Sequence, residues 1–394
     1  MRWKLKLRDL LLGALLLAAL IGLMAWPQEV IDAGKDGLSL CGNVIVPSLF
    51  PFFVVSSLIV GLGLAEYPGR LVERVMGPLF RVNGRCASAL VLGLVGGYPV
   101  GARTAAQLYQ NGQCSRSEAE RLLGFCNNSG PAFLLGVVGT GIFGSSRVGL
   151  LLLVVHMVSA LLVGLLFRFY SGPAEPVHHR SSAPGTAAHI HPAAVFTQSV
   201  RDSCVSVLNV CGFILLFGVI LRLLTLSGLL GGLSRGLAAL FSPLGLSYPW
   251  AKRLLGGFLE LSNGVAALPA GDRFGGIPMA AFLLGWGGLS VQCQTMSVLR
   301  GTDLSLKPCL VGKLLHGLIS AGLAALALNL LPEAAETALL LSQPVSVRSY
   351  PHWGRILMAS LLAGGLLLGL CLRLNAENAE NVQKRGGNRR RSRL

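Results

Sequence analysis

The stretch from Gly93 to Gly136, GLVGGYPVGARTAAQLYQNGQCSRSEAERLLGFCNNSGPAFLLG, decides the fold. It is apolar enough for membrane depth, yet it is broken at Gly96-Gly97-Tyr98-Pro99 and again at Asn127-Asn128-Ser129-Gly130-Pro131. Irregular backbone is tolerated in a bilayer only where protein buries it or it lines a cavity, because unpaired N–H and C=O groups find no water there. Two breaks about thirty residues apart therefore predict a solute site built from helix ends.

The composition around this stretch sets the class. Of 394 residues, 53% are hydrophobic and 13% charged, against roughly 25% charged in a soluble domain, so a polytopic membrane protein is expected. The 51 glycines lie among Leu, Val and Ala, where most allow helices to pack closely. The net charge of +16 comes from the chain ends and short loops rather than one soluble face, which argues against a nucleic-acid partner. The run from Lys384 to Arg393 reads as an anchor at an anionic leaflet. Nine cysteines without a CxxC indicate neither a disulfide framework nor a zinc site. No cofactor or metal is expected.

Taken in order, residues 1–40 hold a first transmembrane helix and an external loop. Arg2, Lys4, Lys6 and Arg8 keep the N-terminus cytoplasmic, and Glu29, Asp32 and Asp36 make residues 28–40 polar. Residues 41–170 form a first repeat. Within it, 67–85 reads as an interfacial amphipathic helix, 86–111 as an inner re-entrant hairpin and 120–144 as a broken helix restarting at Pro131. Ser115 and Glu118 form a capping box ahead of that helix. The apolar pieces of the hairpin are each about ten residues, half of the roughly 20 a crossing needs.

Residues 171–192 are a polar linker; His178, His179, His189 and His191 there lack partners at metal-ligand spacing. Residues 193–331 repeat the outline, with a hairpin at 250–272 around Ser262-Asn263-Gly264 and a broken helix at 277–299. Residues 332–372 hold the last transmembrane helix and 373–394 a basic cytoplasmic tail. Passes are expected at 10–26, 41–64, 120–144, 147–170, 200–226, 277–299, 308–331 and 352–372. The predicted fold is thus all-α, with about eight transmembrane passes and two re-entrant helical hairpins arranged as two inverted repeats.

The candidate substrate-binding residues lie at the breaks. Gly97, Tyr98 and Pro99 form the first hairpin tip. Arg103, one turn further, either clamps a carboxylate or extends to the inner surface. Asn127, Asn128 and Ser129 offer donors and acceptors in the first broken helix, and Gln292, Gln294 and Thr295 are their counterparts in the second half. Glu260, beside Ser262 and Asn263, is an intramembrane acid and hence a coupling group or substrate contact. His156 and His316 sit alone on apolar helices and read as hydrogen-bonded packing residues. No nucleophile stands beside a general base, so no enzyme is expected.

Three motifs carry a resemblance: PSLFPFF at 47–53, GYPVGAR at 97–103 and SEAERLLGFCNNSGPAFLLGVVG at 117–139. Together they resemble the YlbJ-type (SpoVV) sporulation integral membrane proteins of the Gate, or nucleoside-recognition, group, similar in plan to concentrative nucleoside transporters. That resemblance implies a permease moving dipicolinic acid across the outer forespore membrane, acting from the mother cell. The partners so implied are a small-molecule anion and membrane lipid, and a homo-oligomer is compatible with the sequence. A nucleoside-type carrier and a non-transporting protein of spore-envelope assembly are the alternatives.

Overall fold

The computed structural model describes residues 7–62, 72–170, 192–269 and 273–330. The linker up to residue 191, the last pass and the basic tail lie outside these residues. Every regular element within them is helical, and all belong to one compact unit, Met1–Gln343.

The first helix, α1 (Leu7–Ala25), exposes Leu11, Leu15 and Met24 along its length. Such an uncovered apolar face suits lipid rather than water. A helical rod follows, made of α2 (Pro27–Leu40), a π-helical turn (Cys41–Ile45) and α3 (Val46–Gly61). Residues 28–40 are therefore helical and not the external loop expected from their acids. Pro27 starts the helix at a position where its missing N–H costs nothing. Asp32 bonds Gln28 one turn before it and Lys35 one turn after, while Ala33 and Gly37 are buried on another face. Polarity confined to one face of a helix reads, in linear sequence, as a loop.

Residues 72–96 also differ from expectation. The helix expected over 67–85 is described from residue 72 and ends in a π-helical turn, Met76–Phe80, then Arg81 enters the left-handed region at φ 52° and the chain bends by 108° into the next helix. Beyond the bend come α4 (Ala87–Gly96) and α5 (Val100–Gln110), joined by Gly97-Tyr98-Pro99 with a cis Tyr98–Pro99 bond. Next are α6 (Arg116–Phe125), a non-helical gap and a π-helix, Ala132–Ile142, then the long α7 (Ser146–Phe167). The expected capping box of Ser115 and Glu118 opens α6.

The second half holds α8 (Pro192–Leu226), α9 (Leu229–Leu240), α10 (Tyr248–Leu259), α11 (Leu261–Ala266), α12 (Arg273–Trp286), α13 (Gly288–Val298) and α14 (Lys307–Leu330). Hairpin, interrupted helix and long helix thus recur in the same order as α4–α5, α6–π–α7 and α10–α11, α12–α13–α14. Among the described residues, five helical stretches are long and apolar enough to cross a membrane: Pro27–Ile59, Ser146–Phe167, Pro192–Leu226, Gly275–Val298 and Lys307–Leu330.

Two apolar cores hold these helices together. One gathers Ile45, Leu134, Leu152, Ile214 and Leu283, the other Met76, Phe80, Leu122, Phe125 and Val163. Helix α14 belongs to both, through Ala324 and Leu328 at one end and Cys309 at the other.

Candidate functional site

The first hairpin reaches the α6 gap because its glycines allow it. A Cβ on Gly93 would stand 1.7 Å from the Cys126 carbonyl oxygen, and one on Gly101 2.0 Å from the same atom. The tip residue Gly97 has φ +73°, and a Cβ there would lie 2.8 Å from the Gly130 nitrogen. Both hairpin arms therefore press backbone to backbone on residues 126–130.

Within that gap the exposed backbone groups find side-chain partners, as burial demands. Asn128 Nδ2 donates to the Phe125 carbonyl at 2.8 Å, and the Ser129 N–H donates to His156 Nε2 at 3.1 Å. Lys313 Nζ, from α14, donates to the Asn127 carbonyl at 2.7 Å. Asn127, Asn128, Ser129, His156 and Lys313 are all buried.

The second hairpin turns at Glu260, two residues before the Ser262-Asn263-Gly264 turn read from sequence. Its carboxylate accepts the Asn263 N–H at 2.6 Å, capping α11, so Ser262 and Asn263 form the first turn of a helix. A Cβ on Gly264 would fall 2.0 Å from the Gly257 Cα, which shows how closely α11 folds back on α10. The α12–α13 break falls at Gly287 and Gly288, both with positive φ. Gln292 Nε2 donates to the Trp286 carbonyl left free there, at 2.9 Å, and Trp286 Nε1 donates to the Phe258 carbonyl.

These four irregular segments meet. Asn127 Nδ2 donates to Thr295 Oγ1 at 2.9 Å. Tyr98 Oη donates to the Leu284 carbonyl at 3.0 Å, and Ser129 Oγ reaches the same oxygen at 3.4 Å. Helices α5, α11 and α13 and the π-helix all begin at this centre, which places the positive ends of their dipoles there, with α11 capped by Glu260.

Two cavities open at the junction. A small one of about 60 Å³ is lined by Gly97, Tyr98, Ser129, Glu260, Ser262 and Gln294, with Phe53 and Phe213 among its apolar walls. A larger one of about 520 Å³ is lined by Tyr98, Pro99, Arg103, Thr104, Asp202 and Ser206. Phe53, Gly96 and Tyr98 belong to both walls. Arg103 and Glu260, expected in a single site, thus line adjoining cavities that share Tyr98. Asn127, Asn128, Asn263, Gln292 and Thr295 line neither cavity; Asn127 and Thr295 join the two breaks, Asn128 and Gln292 cap freed carbonyls, and Asn263 serves the Glu260 cap.

Sequence reasoning passed over Lys313. Its signal was present, a lone cation in the apolar run of α14, which is costly at membrane depth and marks function. His156 and His316 are hydrogen-bonded, as expected, His156 to the Ser129 N–H of the break and His316 to the His156 carbonyl and Lys313, rather than as isolated packing groups. Among the described residues no cluster of His, Cys, Asp or Glu is arranged to hold a metal ion.

A chain whose described residues form only helices, with interrupted helices and hairpin tips converging on two largely apolar cavities that carry a few polar groups, is a polytopic membrane protein. Residues 44–170 match the family model described as Gate: Nucleoside recognition. Over 338 residues the chain is 35% identical to the sporulation integral membrane protein YlbJ of Bacillus subtilis (strain 168), covering 80% of this chain and 82% of that protein. The chain belongs to the family of that sporulation integral membrane protein. Solved structures of CNTnw are also similar: an inward-facing substrate-bound state at 17% identity covers 80% of this chain and 90% of that one, with a TM-score of 0.48. An outward-facing CNTnw state gives 16% identity, 84% and 93% coverage and a TM-score of 0.46.

Proposed function

We propose that the chain is a carrier for a small anionic aromatic solute, dipicolinic acid, and moves it across the outer forespore membrane during sporulation. On this reading it is a permease and not an enzyme. The observation that carries the proposal is the meeting of two hairpin tips and two helix breaks around the cavities that share Tyr98. A globular scaffold has no need to bury broken backbone around a hollow that carries a few polar groups, whereas alternating access uses such a site.

The chemistry suits a flat dicarboxylate. The larger cavity, about 520 Å³, lies in the range of roughly 300–1,000 Å³ usual for small-ligand sites. Arg103 lines it, and a guanidinium can bind a carboxylate through two parallel N–H bonds. Tyr98 and Phe53 supply aromatic surface, and the hydroxyls of Ser56, Ser57, Ser203 and Ser206 supply further polar contacts. Glu260 beyond Tyr98 is a group whose charge a coupled carrier could use.

Purified protein in liposomes tests the reading directly. Dipicolinate flux is expected, and Arg103→Ala is expected to lower it at least about tenfold, the loss of one charge-assisted contact of about 1.5–3 kcal/mol. Absence of flux from well-folded protein would favour a structural role in envelope assembly. The family model that matches residues 44–170 favours one further reading, a nucleoside-type carrier. Competition between dipicolinate and nucleosides for binding separates these two.

A further inference from the structure

Lys313 is the most deeply buried cation that the site contains, and no carboxylate pairs with it among the described residues. Its Nζ instead faces three acceptors: the Asn127 carbonyl at 2.7 Å, His316 Nδ1 at 3.1 Å and Asn128 Oδ1 at 3.5 Å. Three acceptors match the three N–H donors of an ammonium. They stand at the carbonyl end of α6, where the helix dipole favours a positive charge. Broken helices offer this kind of position, with free carbonyls and a half-helix C-terminus, to a coupling ion. Here a tethered ammonium fills it.

The hydrogen bonds also assign the ring protons. His316 Nε2 lies 3.0 Å from the His156 carbonyl, which can only accept, so Nε2 carries the hydrogen and Nδ1 turns its lone pair to Lys313. His156 Nε2 accepts from Ser129, so its ring hydrogen is on Nδ1. That Nδ1 is buried without a partner, as is Asn127 Oδ1. The two rings lie 4.2 Å apart between centroids.

The other ionisable groups around Lys313 come from the first hairpin tip, α6, α7 and α14 itself. Tyr98 of the hairpin tip presents its ring 5.2 Å from Nζ. Cys126 follows α6, Cys309 lies on α14 itself and His156 on α7. Further along α6, Glu120 bonds Arg116 and the Ser305 N–H, and Arg121 donates to the carbonyls of Tyr170 and Arg81. Between residues 275 and 286, α12 has no ionisable side chain.

We propose that Lys313 and His316 form the proton-coupling site of the carrier, with the Lys313 ammonium standing where a free cation would otherwise be needed. In the step, one Nζ–H bond breaks, its electron pair stays on nitrogen and the proton passes to the His316 Nδ1 lone pair. The imidazolium then gives that proton to water when the site opens. Once the ring is neutral again, Nδ1 is an acceptor and the neutral amine has two donors for three acceptors, so its hold on the α6 gap is weakened. Flux is thereby linked to protons and independent of sodium. This inference rests on the carrier reading above.

The test uses the full chain in phosphatidylcholine–phosphatidylglycerol vesicles with labelled dipicolinate. With choline replacing sodium, accumulation is expected to rise by up to about tenfold per imposed pH unit, the limit for one proton per cycle. Flux that requires sodium, or ignores the proton gradient, overturns the coupling site and leaves the carrier reading standing. No flux under any gradient overturns both. Lys313→Arg keeps the charge but does not deprotonate, so gradient-driven accumulation is expected to be lost while the purified variant still elutes as folded protein. Gradient-driven accumulation retained in that variant overturns the assignment. His316→Gln keeps an acceptor for Nζ but no titrating ring; a shifted pH profile of flux is expected, and an unchanged profile counts against the relay.

Discussion

Asn127 and Thr295, 168 residues apart, share a hydrogen bond of 2.9 Å that ties the broken helix of the first half to that of the second. Thr295 Oγ1 spends its own hydrogen on the Val291 carbonyl at 3.0 Å, so Asn127 must be the donor. Asn127 also gives its carbonyl to Lys313, which makes it a meeting point of three segments. Asn127→Ala should cost about 1–2 kcal/mol of stability, the usual range for a buried hydrogen bond and its unpaired partner. Flux should fall more than stability does. A double-mutant cycle with Thr295→Val should return a coupling of about 0.5–3 kcal/mol, and additive effects would deny the link.

Glu260 has a local duty and a proposed one, which two substitutions separate. Its carboxylate caps α11 through the Asn263 N–H, and glutamine keeps an oxygen for that bond. Glu260→Gln should preserve the melting temperature in detergent while impairing flux. Glu260→Ala should lose about 1 kcal/mol as well, the common cost of a missing N-cap. Equal flux in wild type and Glu260→Gln would remove the carboxylate's charge from the mechanism.

The hairpin seat makes an asymmetric forecast for glycine. At Gly93 a methyl group would meet the Cys126 carbonyl at 1.7 Å, and backbone on both sides leaves nothing to move aside. Gly93→Ala should abolish recovery of folded protein. Gly212, on α8, has no atom within 4 Å of such a methyl, and alanine there should be neutral or gain up to about 1 kcal/mol of helix preference. Yields after detergent extraction and size exclusion decide both.

At the far end of the first hairpin, Tyr109 Oη donates to Asp303 Oδ1 at 2.7 Å, bridging α5 and the loop before α14. That bond, with Arg116 nearby, holds the Asp303 carboxyl below its usual range. A lowered carboxylate value means that the contact stabilises above the unfolded value of about 3.9 and loses its effect as pH falls through the folded one. Wild type should therefore melt above Tyr109→Phe at neutral pH, and the two should converge in acid. A difference that persists at the most acid pH would exclude ionised Asp303 as its source.

How much was legible before folding depends on the range of the interaction involved. Gly96-Gly97-Tyr98-Pro99 and Asn127-Asn128-Ser129-Gly130-Pro131 announced their breaks because positive φ, the missing proline N–H and short amide side chains act on their own backbone. The second hairpin was found but its turn was misplaced by two residues. Ser262-Asn263-Gly264 has turn chemistry, yet a carboxylate one position before a helix is a stronger local signal as its cap. Residues 28–40 misled for another reason: three acids in a short stretch suggest a loop unless their helical spacing is weighed first.

By itself, the amino-acid sequence determined that this chain is helical, bound to a membrane and interrupted where glycine, proline and asparagine cluster, since each of these follows from composition or near neighbours. Only the tertiary structure decided that Tyr98 stands between two cavities, that Arg103 and Glu260 line different ones, and that Lys313 holds the first break. Those are pairings over roughly 160 to 190 residues of chain, set by which helix faces can approach without trapping unpaired polar groups. No local pattern encodes them.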